Sequence, residues 1–284
     1  MTGIRDILRK ADPKHFQTFL ITLLLVVGEA RYSVLGGYDR LVVALGACLL
    51  TEAALSLYLR DRWPSLMSAY VSGISMALLT KPQGGVLWPF AVGGFLAIAS
   101  KYVLTYRDRH IWNPTNFSIS MLLLLAPAQI AILSHQWGNE IWTNLLIWGV
   151  GLVVVSRAKV LHITLMYVAC FLFFAALRSS LEGLPLLPEI APLTGPMYQL
   201  FAFFMVTDPR TTVSSRKGRL GVVFLVALVE ALIRLAADRH LAMPTAFAAS
   251  PPIIALFLVG PIAMWFDLRR TAPVRVPAVE PAPA

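Results

Sequence analysis

An all-α integral membrane fold of about ten transmembrane helices, built as two inverted five-helix repeats with both termini cytoplasmic, is predicted by three observations. The 284 residues are 57% hydrophobic and only 14% charged, with a mean hydropathy of +0.70. A soluble domain has no interior large enough for that much apolar surface. The apolar residues fall into ten runs, most of them near the roughly 20 residues that a bilayer core requires. Short patterns at the ends of these runs recur once, in the same order, half a chain apart.

The first run, 16–35, follows a basic, mostly polar segment (Arg5, Arg9, Lys10, Lys14) and has no small-residue cleavage site, so it is expected as a retained helix and not a signal peptide. After a cytoplasmic segment at 1–15, the runs 16–35, 41–59, 64–80, 86–106 and 116–134 make a first repeat, 16–134. The runs 141–156, 160–177, 190–206, 219–237 and 251–267 make a second, 135–270. The third and eighth runs are short. A Pro- and Ala-rich tail, 271–284, is expected to be disordered.

The net charge of +9 is decided by position. With ten helices and a cytoplasmic N-terminus, Arg31, Arg40, Lys81, Arg178 and Arg239 lie outside. The other Lys and Arg residues except Arg234, among them Lys101, Arg107, Arg109, Arg210, Arg216 and Arg219, lie inside. That is a strong positive-inside bias; the basic character sets orientation and gives no ground for a nucleic-acid partner. The only cysteines, Cys48 and Cys170, both sit in apolar runs, which leaves no disulfide, zinc or iron–sulfur framework and no metal site.

Leu79-Thr80-Lys81-Pro82 closes the third run, and Val206-Thr207-Asp208-Pro209 closes the eighth about 127 positions later. Asn113-Pro114-Thr115-Asn116-Phe117 opens the fifth, and Met243-Pro244-Thr245-Ala246-Phe247 precedes the tenth about 130 positions later. Five helices is an odd number, so the second copy enters the membrane from the other side. Broken segments at matching places in such halves line a central site, because unwound backbone survives in a membrane only inside protein or beside water. Thr80, Lys81, Asn113, Thr207 and Asp208 are therefore candidate binding residues. The other reading of Thr-x-Pro is an ordinary helix terminator.

The run 200–235, LFAFFMVTDPRTTVSSRKGRLGVVFLVALVEALIRL, resembles the RnfD and NqrB membrane-subunit family, in which an apolar helix ends in M-x-T-D-P and is followed by Gly-Arg and a helix ending in I-R. MPTAFAASPPIIALFLVGPIAMWFD, with Pro261 and Asp267, is similar to that family's last helix. AIASKYVLTYRDRHIWNPTNFSIS at 97–120 and SHQWG at 134–138 resemble the short enediyne-biosynthesis-type RnfD-like branch (UnbU). The resemblance implies ten helices in two inverted halves, membership of a membrane electron-transfer assembly with redox or membrane partner subunits, a bacterial-type inner membrane, and flavin as cofactor. The family's Ser-Gly-Ala-Thr motif for covalent FMN does not occur here, and Thr194 in Leu-Thr-Gly-Pro does not replace it. That leaves noncovalent flavin (FMN or riboflavin), a quinone, or no cofactor, in a non-catalytic subunit of a membrane oxidoreductase.

Asp208, a carboxylate at a broken helix, either binds a cation, proton or flavin, or anchors its own loop. Glu230 and Arg234, four apart, share one helix face and either neutralise each other structurally or serve an ion path. Glu52 is isolated in the second run and needs protonation, an interior position or a basic partner; it is the first choice for a proton or cation path, with a buried structural hydrogen bond as the alternative. Phe204, in the FAFFM run, either packs or encloses an isoalloxazine. Lys101 to Phe117 reads as a basic cytoplasmic loop with interfacial Tyr106 and Trp112, and Asn113 as a helix cap before Pro114. His15, His110, His135, His162 and His240 are too scattered for bis-His haem. Two other functional classes fit the same features: a transporter or channel for a small solute or ion, and a non-catalytic membrane anchor for partner proteins.

Overall fold

A computed structural model describes residues 13–107, 109–132, 140–208 and 210–270. The segment 1–12, the tail 271–284, His135 with the rest of SHQWG, the boundary between the expected repeats, and Pro209 lie outside the described residues. The helices are α1 Pro13–Tyr32, α2 Asp39–Arg60, α3 Met67–Leu79, α4 Trp88–Val103, α5 Pro114–Leu125, α6 Ile141–Arg157, α7 Leu161–Glu182, α8 Leu186–Ile190, α9 Pro196–Leu200, α10 Arg216–Asp238, α11 Thr245–Ala249 and α12 Pro251–Arg270. Short strands β1 Thr80–Pro82, β2 Thr105–Tyr106, β3 Arg109–His110 and β4 Ile130–Ile132 pair as β1 with β4 and β2 with β3, both antiparallel.

Among the described residues four helices, α2, α7, α10 and α12, are long and apolar enough to cross a membrane. α3, α5 and α6 are apolar but only 13, 12 and 17 residues long. Large apolar side chains point outward all round the bundle, with Leu50 at 73% and Val103 at 75% exposure. Such a surface suits hydrocarbon and not water. The chain is accordingly an all-α membrane protein.

Two expected runs are broken in ways the residues explain. The fifth, 116–134, starts where Asn113 Oδ1 accepts the Asn116 amide at 3.1 Å with Pro114 at the first turn. It stops at Leu125 because Pro127 cannot continue the ladder. Ile130–Ile132 then pair with Thr80–Pro82, which satisfies the backbone of both broken segments. The eighth run, 190–206, is not one helix: Pro192 and Pro196 divide it into α8, a 3₁₀ turn at Ala191–Thr194 and α9, which passes into a π turn at Phe201–Met205. That turn closes with the Val206 amide on the Phe201 carbonyl at 3.0 Å, five residues back.

Packing runs in a row. α2 lies against α3 and α4, α4 against α5, α5 against α12, α12 against α10, and α10 against α7, while α1 leans on α3 and α6. Glycines permit the closest crossings, as small residues do between membrane helices. A Cβ on Gly94 of α4 would meet the Ala47 Cβ of α2 at 2.7 Å, and one on Gly151 of α6 would meet the Phe203 ring at 2.5 Å. The core centres on α3, α7 and the α9–π segment, where Ile74, Leu79, Tyr167 and Phe201 are fully buried. Gly94→Leu is expected to destabilise the fold by about 1–3 kcal/mol or more. Gly46→Leu on the open side of α2, where a Cβ meets nothing within 4 Å, is expected to be tolerated. The melting temperatures of the two variants in detergent check this; equal values would contradict the α2–α4 crossing.

Candidate functional site

Thr80 and Thr207 end their segments in the same way. Thr80 Oγ1 donates to the Met76 carbonyl at 2.7 Å and Thr207 Oγ1 to the Phe203 carbonyl at 2.6 Å, each four residues back. The hydroxyl bonds back to a carbonyl in the last turn, and at Met76 it adds to the Thr80 amide already held by the same oxygen. The residues that follow differ. Lys81 is exposed on β1. Asp208 is half-buried and anchors: Oδ1 accepts the Arg210 amide at 3.0 Å, and Oδ2 accepts the Asn113 side-chain amide at 3.1 Å. No hydrogen bond or ion pair joins Thr80 or Lys81 to Thr207 or Asp208, so these four do not converge on one polar site. Phe204 packs against the main core.

The Asn113–Asp208 contact belongs to a larger joint. Asn116 Nδ2 donates to the Ile253 carbonyl at 2.8 Å, and Trp112 Nε1 donates to the Phe257 carbonyl at 3.0 Å. Arg109 donates to the Thr212 carbonyl and lies 3.5 Å from Asp267, which accepts the Ser214 amide at 2.9 Å. The β2–β3 hairpin, the start of α5, the loop after Thr207 and the end of α12 are thereby tied together. His110 is half-buried here; burial pushes its imidazole below the usual histidine range, against the pull of the Asp208 carboxylate.

Two carboxylates lie buried within helices. Glu52 Oε1 of α2 accepts the Tyr102 hydroxyl at 2.8 Å, and Oε2 lies 3.7 Å from Lys101 Nζ, beyond hydrogen-bond reach but within Coulomb range. Lys101 is thus not part of a cytoplasmic loop: it sits in α4, buried, with its ammonium 3.0 Å from Ser68 Oγ. Glu230 of α10, 1% exposed, accepts the Tyr167 hydroxyl from α7 and the Tyr198 hydroxyl from α9, each at 2.7 Å, and Arg234 Nε at 3.2 Å. Arg234 also donates to the Tyr198 oxygen. One helical turn toward the end of α10, Arg178 pairs with Glu189 and, at 2.7 Å, with Asp238.

A cavity of about 400 Å³ opens beside this second cluster, at the opposite end of α5 from Asn113. Leu123 of α5, Ile130 and Ile132 of β4, Met197 and Tyr198 of α9 and Ala246 of α11 form much of its wall. Gln83, just past β1, and Thr245 add polar atoms. No charged residue lines it among those described. Tyr198 is the residue shared by the wall and the Glu230 cluster.

No protein-family model matches the chain, and no curated protein matches it. The assignment of the site therefore rests on its own geometry. Reasoning from sequence missed Tyr167, Tyr198 and Gln83, which carry no charge and stand in no motif. Lys101 was reachable: it falls inside the run 86–106, and Glu52 called for a cation. Because His110 resists protonation in the fold, the unfolded chain binds that proton more readily, and the stability present above about pH 6.5 is lost as pH falls. Thermal melting in detergent at falling pH is expected to show this loss, with a shallower fall for His110→Gln; parallel curves for the two proteins would contradict it.

Proposed function

We propose that this chain is a multi-pass inner-membrane subunit of the RnfD and NqrB kind, ten-spanning and built of two inverted five-helix halves, which holds a redox ring between its halves and exchanges electrons with partner subunits. The observation that carries the reading is the cavity of about 400 Å³, largely apolar and edged by the polar groups Gln83, Tyr198 and Thr245, the composition expected of a small-molecule site. Its walls come from both expected halves. The four repeat marks also sort in pairs: Asn113 of the first half meets Asp208 of the second, while the strand pair around Thr80–Pro82 shares the cavity with Thr245 and Ala246.

The wall chemistry favours one class of ring. An FMN phosphate would be left without a cation by the described lining, a costly burial. A quinone head group or the isoalloxazine of riboflavin carries no such charge and fits an apolar slot with a few hydrogen-bonding groups. When bound, a quinone supplies two-electron, two-proton chemistry. The chain's own part is to exclude water with Leu123, Ile130 and Met197 and to orient carbonyl oxygens with Gln83 and Tyr198. Orientation between the leaflets follows the positive-inside bias, with both termini cytoplasmic.

Purified protein is expected to yield a quinone or a noncovalent flavin on solvent extraction, and Ala249→Trp, which fills the cavity wall, is expected to remove most of it. A folded preparation free of both, by visible spectrum and mass spectrometry, would sink the redox reading. A second reading, a transporter or channel for a small solute or ion, is favoured by the two intramembrane acid–base clusters at Glu52 and Glu230. Uptake into proteoliposomes that is lost in Glu52→Gln, from a preparation without cofactor, would decide for it.

A further inference from the structure

Tyr198 has its hydroxyl proton engaged and one of its two lone pairs taken. It donates to Glu230 Oε1 at 2.7 Å and accepts from Arg234. A phenol has one proton to donate, so while that proton lies on the carboxylate the cavity has no donor from Tyr198. Glu230 itself lines a second cleft, of about 10 Å³, the room of a single water, bounded by Phe171, Phe174, Arg178 and Arg234. The carboxylate therefore borders a water-sized cleft directly, and one phenol bridges it to the ligand-sized cavity.

Resting on the reading of the cavity as a quinone site, we propose that Tyr198 and Glu230 form a proton-linked donor: binding of a quinone carbonyl in the cavity takes up one proton, which resides on Glu230. The proton enters through the cleft beside Arg178 and forms the Glu230 O–H bond. That O–H then donates to the Tyr198 oxygen, whose second lone pair keeps the Arg234 contact, and the Tyr198 proton turns to the ligand carbonyl. One proton is consumed from solvent per ligand bound, and no electron moves. A ligand without a carbonyl acceptor gains nothing from the switch.

The groups that face Glu230 set this behaviour. Tyr167 and Arg178 reach it from α7, Tyr198 from α9, and Arg234 from its own helix, with Asp238 next along the row. α11 carries no ionisable residue, and those of α12, Asp267, Arg269 and Arg270, are confined to its far end. Arg234 and Arg178 favour the charged carboxylate while its burial favours the neutral one, and the ligand supplies the free energy that tips the balance to protonation.

The test is calorimetric titration of the detergent-solubilised full chain with decylubiquinone, from about pH 5 to about pH 9, in buffers of different ionisation enthalpy. Native protein is expected to take up close to one proton per quinone at the upper end of that range, with affinity falling up to tenfold per pH unit. Glu230→Gln, whose amide donates to Tyr198 permanently, is expected to bind about as tightly as native protein at low pH, with no pH slope and no proton uptake. Tyr198→Phe is expected to lose roughly five- to tenfold in affinity at low pH, also without proton uptake. Quinone binding by native protein without proton uptake, or a slope retained in Tyr198→Phe, overturns the proton linkage while leaving the cavity reading intact. Absence of quinone binding at every pH overturns the cavity reading and this inference with it. Should Glu230→Gln fail to fold, native protein and Tyr198→Phe decide the matter.

Discussion

Hydrocarbon offers no hydrogen bonds, so a chain that crosses it has to satisfy each carboxylate, each ammonium and each broken turn from its own atoms. Here that requirement selects which helices are neighbours. Glu52 is satisfied only if α4 lies on α2, because Tyr102 and Lys101 come from α4. Glu230 is satisfied only if α7 and α9 both reach α10. Arg40 holds the carbonyls of Val34 and Thr80 at the start of α2, fixing the bend before that helix against the end of α3. Glycines at the crossings let these contacts form; the polar groups penalise the alternatives.

The two buried carboxylate clusters solve the same problem with different residues. In the first, a lysine and a tyrosine on one helix answer the carboxylate of another; in the second, two tyrosines and a neighbouring arginine do so. The second cluster is drier and better supplied with donors, and its Tyr198 lines the cavity. The loop joint at Asn113 and Asp208 takes a third course, using amides, backbone donors and a half-buried position to hold one end of the bundle together.

Much of the architecture was legible because it follows from hydrophobicity. Apart from the fifth and the eighth, the apolar runs became helices nearly where they stand, and Asn113 caps α5 as its position before Pro114 implied. What sequence could not supply was pairing across space. Glu52 and Lys101 are 49 positions apart, and a lysine near the end of an apolar run reads as the start of a loop until the facing carboxylate is seen. Tyr198 reads as an interfacial aromatic in a segment broken by prolines. Its role appears only when α9 is laid against Glu230. Pro127 signalled that the fifth run would break, but not that the residues beyond it would return as a strand beside Thr80.

The π turn at Phe201–Met205 has a geometric consequence for the segment that contains it. An α-helix turns about 100° per residue, so one extra residue in a turn shifts the face presented afterwards by about that angle relative to the face before. Tyr198 ahead of the turn addresses Glu230 of α10, while Phe203 within it meets Gly151 of α6 and the Trp148 ring at 5.0 Å. The segment thus serves two neighbours that a regular helix of the same length would present at the wrong azimuth. Its phase is set by residue count, so a one-residue deletion that preserves every side chain outside the turn changes what this segment touches more than most substitutions within it.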